Sequence, residues 1–171
     1  DFSVVIPTIR GERIVACLKS LSKQELEGRF EVVVINDGGP EISLDRMQST
    51  LGQIQLIYER TDNKGPGAAR NRGVERARSN WVLMTDDDCR PHVNWIQEFA
   101  GATKRWPRSM IGGKVINGLK DNDFAEASQV LIDHLFADFN EPGKKANFLT
   151  TNNLAVEKAA FVELGGFDEG F

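Results

Sequence analysis

The sequence predicts an α/β protein with three layers: a mostly parallel central sheet with helices on both faces. Strand-like and helix-like segments alternate along the chain, the mark of parallel-sheet units. Two strand-like runs, Val4-Val5-Ile6 and Val32-Val33-Val34-Ile35, are apolar at successive positions, as strands covered on both faces are. Polar residues gather where strands stop: Thr8 and Arg10 after the first, Asp37 after the second, Asp86-Asp87-Asp88 after the fourth. In open parallel sheets the ligand crevice lies beyond the carboxyl ends of the strands.

Ser3 to Pro7 is a β-branched run ended by proline, and Glu12 to Lys23 carries Ile14, Val15, Leu18 and Leu21 at helical spacing. Phe30 to Ile35 is the second strand, stopped by the turn composition Asn36-Asp37-Gly38-Gly39. Leu44 to Leu51 reads as a helix and Ile54 to Tyr58 as a third strand. The glycine-rich loop Asn63 to Gly67 leads into a helix from Ala68 to Ala77, and Trp81 to Thr85 is a fourth strand running into the three aspartates. A helix over Val93 to Arg105 and a fifth strand over Met110 to Ile116 follow. Phe124 to Phe139 is expected to be helical with Val130, Leu131, Leu135 and Phe136 on one side. Asn147 to Val156 is mixed, and Lys158 to Leu164 is a short helix ended by Gly165.

At 171 residues the chain fits one domain. A net charge of −4, without clustered Lys and Arg, excludes a nucleic-acid partner held through a basic surface. No apolar run approaches membrane-spanning length, and no basic region followed by a hydrophobic stretch opens the chain. Cys17 and Cys89 form neither a disulfide framework nor a metal-finger spacing, so reduced thiols in a cytosol-facing protein are expected. Asp1 runs straight into a strand and Phe171 falls just after a Gly-Gly turn, so the chain reads as an excerpt of something longer.

Three consecutive aspartates at a strand end repel one another unless solvent, basic partners or a bound cation relieve them. A hard divalent ion takes oxygen ligands and shares them with substrate phosphates. In an extended stretch alternate residues point the same way, so Asp86 and Asp88 would face a diphosphate together; a solvated acidic turn has the same composition. Asp37 can accept from a base imide or a ribose hydroxyl, or cap its own turn. Gly65 lets backbone approach a ligand, and Arg70 can offer phosphate a fork of donors or lie along its helix. His92 and His134 are isolated from each other and from any nucleophile pattern. A P-loop is absent, no Gly-x-Gly-x-x-Gly follows the first strand, and a Ser-His-Asp arrangement has no support.

Taken in order, these segments resemble the family 2 glycosyltransferases, inverting enzymes of the GT-A type with a Rossmann-like fold. Ser3-Val4-Val5-Ile6-Pro7-Thr8, Cys17-Leu18-Lys19-Ser20-Leu21 and Glu31 to Gly38 resemble the family's opening strand, first helix and second strand, with Asn36 where an aspartate is frequent. Asn63 to Gly73 (NKGPGAARNRG) is similar to its Asn-x-Gly and Ala-Arg-Asn-x-Gly segment, and Trp81 to Asp88 to the strand ending in its Asp-x-Asp motif. Asn153-Leu154-Ala155 and Gly165-Gly166-Phe167-Asp168-Glu169 look like the acceptor-side segment.

The resemblance implies a single catalytic domain over 1–171, with residues 1–116 holding the donor and 117–171 forming part of the acceptor side. Pro7, Thr8, Arg10, Asp37, Asn63, Gly65, Arg70, Asp86 and Asp87 would contact the nucleotide, with Asp37 on the base and Asp86 near ribose. Asp88, with Asp86, would hold Mn²⁺ or Mg²⁺. The ion would neutralise charge on the departing nucleoside diphosphate, so that losing Asp88 would cost roughly 10²–10³-fold in rate. The implied donor is a nucleotide-diphospho-sugar, UDP-linked by expectation. The implied acceptor is a carbohydrate, lipid or protein hydroxyl, and the implied setting is the cytoplasm, in peripheral association with the membrane. The family's general base is the aspartate of a Glu-Asp pair beyond the Gly-Gly-Phe-Asp segment. It is expected past Phe171, leaving this stretch to bind donor and to transfer sugar poorly. A nucleotidyltransferase and a noncatalytic nucleotide-sugar-binding module are the competing readings. The first would carry a Gly-rich, basic loop directly after the first strand, where Pro7-Thr8-Ile9-Arg10-Gly11 has one glycine.

Overall fold

A computed structural model of the protein describes residues 1–119, 121–141 and 143–170. The strands are β1 (Phe2–Thr8), β2 (Phe30–Asp37), β3 (Gln55–Thr61), β4 (Trp81–Met84), β5 (Ile111–Gly112) and β6 (Leu154–Glu157). The helices are α1 (Ile14–Leu21), α2 (Leu44–Leu51), α3 (Pro66–Arg76), α4 (Trp95–Arg105), α5 (Asp123–Phe139) and α6 (Lys158–Glu163). The six strands form one sheet in the order β3-β2-β1-β4-β6-β5. β1 to β4 are mutually parallel where they pair, whereas β6 runs antiparallel to both β4 and β5.

Alternating residues of the buried strands build two apolar layers. Val4, Ile6, Val32, Val34 and Leu83 pack with Ile14, Leu18 and Leu21 of α1, Met47 of α2, and Ile96 and Phe99 of α4. Val5, Val33, Ile35, Val82 and Met84 pack on the other face with Ala69 and Val74 of α3 and Phe161 of α6. Each such buried branched side chain contributes about 1.5–3 kcal/mol of transfer free energy, an upper bound set by the unfolded reference. Helix α3 lies very close to the sheet. A Cβ on Gly73 would fall inside the envelope of Val5 Cγ1, so glycine alone permits this approach.

Three expectations are corrected. The fifth strand shrinks from Met110–Ile116 to two residues, because its partner β6 begins only at Leu154, after a tight turn over Thr151–Asn153. Past one last in-register bond, Gly113 N–H to Asn153 O at 2.9 Å, a side chain takes over, with Asn153 Nδ2 donating to Lys114 O at 2.8 Å. The apolar side of α5 is open: none of its residues is buried, and Val130 and Leu131 are exposed, while Phe136 meets Phe148 edge to face at 5.3 Å. β4 ends at Met84, so the aspartates do not alternate as strand residues. Asp87 and Asp88 lie in a turn that Cys89 N–H closes onto Asp86 O at 3.1 Å. Among the described residues no helix is long and apolar enough to cross a membrane.

Candidate functional site

The strand order creates the site. From β1 the chain steps outward through β2 and β3, then returns to place β4 on β1's other side. Loops leaving β1 and β4 therefore diverge, opening a crevice at their carboxyl ends. A cleft of about 270 Å³ lies there. Its wall from β1 is Pro7, Thr8 and Arg10; Asp37 comes from β2, Asn63, Gly65 and Arg70 from the loop and helix after β3, and Asp86, Asp87 and Asp88 from the turn after β4. All ten residues singled out in the sequence line this one cleft. Sequence reasoning missed its apolar lining, Ile9, Pro66 and Ala69. For Pro66 the signal was present, since proline favours the first position of a helix and α3 starts there, two residues before the expected start.

Each aspartate has its own partner. Thr8 Oγ1 donates to Asp87 Oδ2 at 2.6 Å, and Asp87 is only 6% exposed. Arg70 Nη2 donates to Asp86 Oδ1 at 2.6 Å from a side chain 11% exposed, while its buried Nε has no acceptor among the described residues. Arg10 Nη1 reaches Asp88 Oδ2 at 2.7 Å and lies 3.9 Å from Asp87 Oδ1. The hydrogen bond it donates to Asp88, and then the charge of Asp87, hold the Arg10 guanidinium above its ordinary pKa.

Asp37 organises the opposite wall. Its carboxylate accepts from Thr61 Oγ1 at 3.1 Å, from Lys64 N–H at 3.0 Å and from Gly65 N–H at 2.8 Å. These bonds fix the loop that enters α3, where Gly65 takes φ 95°, a conformation glycine supplies without strain. Asn36, fully buried, shapes the neighbouring turn. Its Nδ2 donates to Pro40 O at 2.8 Å and Tyr58 Oη at 3.0 Å, and its Oδ1 accepts from Gly39 N–H at 2.9 Å. Both histidines lie apart from the cleft lining: His92 Nδ1 sits 2.6 Å from Asn94 Oδ1, and His134 pairs with Asp138 at 3.2 Å.

Among the described residues no group of three or more His, Cys, Asp or Glu is arranged to cage a metal ion. The donor set suits a different kind of site. Asp88 and Asp86 offer carboxylate oxygens to open space, and an oxygen-seeking divalent ion completes its shell with substrate phosphates and water. Asp88 is the more accessible, with a side chain 57% exposed and paired with the half-exposed Arg10.

The family described as Glycosyl transferase family 2 matches residues 3–165. The "Glucosyl-dolichyl phosphate glucuronosyltransferase" of Haloferax volcanii is 27% identical over 97% of the chain and 55% of its own length. The "PGL/p-HBAD biosynthesis glycosyltransferase" of Mycobacterium bovis is 35% identical over 51% of the chain and 35% of its own length. Among solved structures, S. aureus TarS 1-349 in complex with UDP superposes with a TM-score of 0.74 at 22% identity, covering 99% of this chain and 50% of that one. The mannosyltransferase PcManGT of Pyrobaculum calidifontis, in complex with GDP-Man and Mn²⁺, gives 0.72 at 19% identity, covering 99% and 48%. These likenesses establish the fold as GT-A. The chain spans about half the length of the relatives matched along most of it.

Proposed function

The chain belongs to glycosyl transferase family 2, and on that premise we propose that the cleft binds a nucleotide-diphospho-sugar, UDP-linked in our reading, together with a divalent cation. The donated sugar passes with inversion to a hydroxyl of a carbohydrate, lipid or protein. The observation that carries this reading is convergence: three aspartates after β4, the arginine of α3 and the aspartate of β2 all line one cleft. Apolar contact from Ile9, Pro66 and Ala69 suits the nucleoside, and Asp37 faces it with the loop it holds. Arg70 has an unused Nε donor beside Asp86, a group that a phosphate oxygen would satisfy after a small shift. Asp88, with Asp86, would hold Mn²⁺ or Mg²⁺, whose chemistry is to neutralise charge developing on the departing diphosphate.

We assign no general base among the described residues. Asp168 Oδ1 accepts from Gly170 N–H at 2.9 Å and Glu169 Oε1 from Asn71 Nδ2 at 2.8 Å, so both are engaged in their own segment. In the same reading residues 1–116 hold the donor and 117–171 contribute acceptor-side surface. A cytosol-facing setting accords with the unpaired Cys17 and Cys89.

Calorimetric titration with UDP tests the reading. Binding is expected to require Mn²⁺ or Mg²⁺ and to be lost in Asp88→Ala. Absence of heat with either cation, in protein shown to be folded, would instead favour a noncatalytic binding or assembly module whose aspartates hold no nucleotide.

A further inference from the structure

Asn71 is the next residue after Arg70 on α3, rotated about 100° around the helix, so the two side chains leave the helix toward different neighbours. Arg70 faces the cleft and Asp86. Asn71 faces the segment after α6. Its Nδ2 donates to Phe167 O at 2.9 Å and to Glu169 Oε1 at 2.8 Å, and its Oδ1 accepts from Phe167 N–H at 2.9 Å. The side-chain amide thus binds both backbone groups of Phe167, as one more rung of a ladder would. The same helix face comes close at Gly67, where an added Cβ would stand 3.2 Å from Asp168 O. On the far side the Phe167 ring packs edge to face on Phe161 at 5.4 Å, anchoring the segment to the second apolar layer.

The first two turns of α3 therefore stand between two walls. One is the cleft, fixed through Gly65 to Asp37 and through Arg70 to Asp86; the other is the 166–169 segment. We propose that Asn71 is a positioning residue that transmits cleft occupancy to the 166–169 segment and sets that segment's distance from the bound donor. The proposal rests on the nucleotide-binding reading above. Rigid elements with shared hydrogen bonds are the physical carriers of such coupling, and the Asn71 amide is the side chain of α3 that hydrogen-bonds the segment.

The test measures hydrogen exchange at the Phe167 amide with and without UDP and Mn²⁺, alongside UDP affinity by calorimetry. In the unaltered protein, ligand slows Phe167 exchange by about tenfold or more. In Asn71→Ala, UDP affinity stays within about threefold, yet Phe167 exchanges rapidly and its response to ligand disappears. Asn71→Asp places a carboxylate against Glu169 and behaves like the alanine variant, while adding Glu169→Gln returns a donor and recovers at least half of the response. A purely structural asparagine would speed Phe167 exchange when removed without abolishing its response to ligand. An unchanged ligand response in Asn71→Ala overturns the proposal, as does a loss matched by an equal loss of affinity. If the unaltered protein itself binds no UDP, the nucleotide reading fails and takes the proposal with it, an outcome told apart because it arises without any substitution.

Discussion

Thr8 Oγ1 and Asp87 Oδ2 lie 2.6 Å apart and join the end of β1 to the turn after β4 across 79 residues of sequence. The bond satisfies the most buried carboxylate of the run and holds the two loops of the cleft at a fixed spacing. It also divides the labour among the aspartates: Asp87 closes the wall while Asp86 and Asp88 face outward.

Replacing Thr8 by valine keeps the shape and removes the donor, leaving Asp87 buried with only the distant Arg10 for compensation. The expected cost is about 1–3 kcal/mol of stability, the penalty for an unsatisfied buried acceptor. Thr8→Ser keeps the donor and is expected to retain most of that stability. Denaturant unfolding of both variants decides the point; equal loss in the two would deny the hydroxyl its role.

In the proposed reading Arg10 and a divalent ion would compete for Asp88. Both side chains of the pair are about half exposed, and exposed pairs contribute no more than about 1 kcal/mol. Arg10→Gln should therefore raise Mn²⁺ affinity in the absence of nucleotide by up to about fivefold. Titration followed by the Mn²⁺ electron paramagnetic resonance signal reads this directly. Weaker Mn²⁺ binding would mean that Arg10 helps the ion rather than opposing it.

Asn36 stands where the family resemblance leads to an expectation of aspartate, yet its buried amide donates to Pro40 O and Tyr58 Oη. An aspartate has no donor to offer Pro40 O, whereas the Tyr58 hydroxyl can turn to donate to its carboxylate. Asn36→Asp is expected to destabilise the chain by roughly 1–3 kcal/mol and to loosen the Gly38–Pro40 turn. Denaturant unfolding measures the loss, and a variant as stable as the unaltered protein would deny the amide donor its role.

Burial raises the Cys17 thiol well above its ordinary 9.0, and burial likewise raises Cys89. The folded chain therefore keeps protons that the unfolded chain releases. The stability these thiols contribute is complete below about pH 8.5, the range of a free thiol, and is lost as pH rises above it. Unfolding free energy should fall from about pH 9 upward, and Cys17→Ala/Cys89→Ala should flatten that fall. Near neutral pH both thiols should react slowly with iodoacetamide until the protein is unfolded.

The sequence revealed elements where physics acts locally. β1 and β2 are legible because strands covered on both faces must be apolar at successive positions, and α2 because Ser43 caps its start, accepting from Arg46 N–H at 3.3 Å, and Gly52 follows its end. β3 runs on past Tyr58 through Glu59, Arg60 and Thr61 because ladder pairing with β2, rather than apolar content, holds an edge strand. Residues of the cleft were legible because ligand sites of open sheets gather at strand ends. Their pairings were not: Arg10 meets Asp88 across 78 residues and Asn71 meets Phe167 across 96, contacts set by strand order. All three aspartates line the cleft, but β4 stops at Met84, so a turn presents them in place of the expected strand alternation.

Crystals grown with UDP and Mn²⁺ and measured at the manganese absorption edge would locate cation and nucleotide together. One anomalous peak is expected in the cleft at about 2.1 Å from an Asp88 carboxylate oxygen, with the diphosphate against it and the Arg10 side chain displaced. A nucleotide bound away from Asp37 and Asp88, or manganese only on surface carboxylates elsewhere, would contradict it.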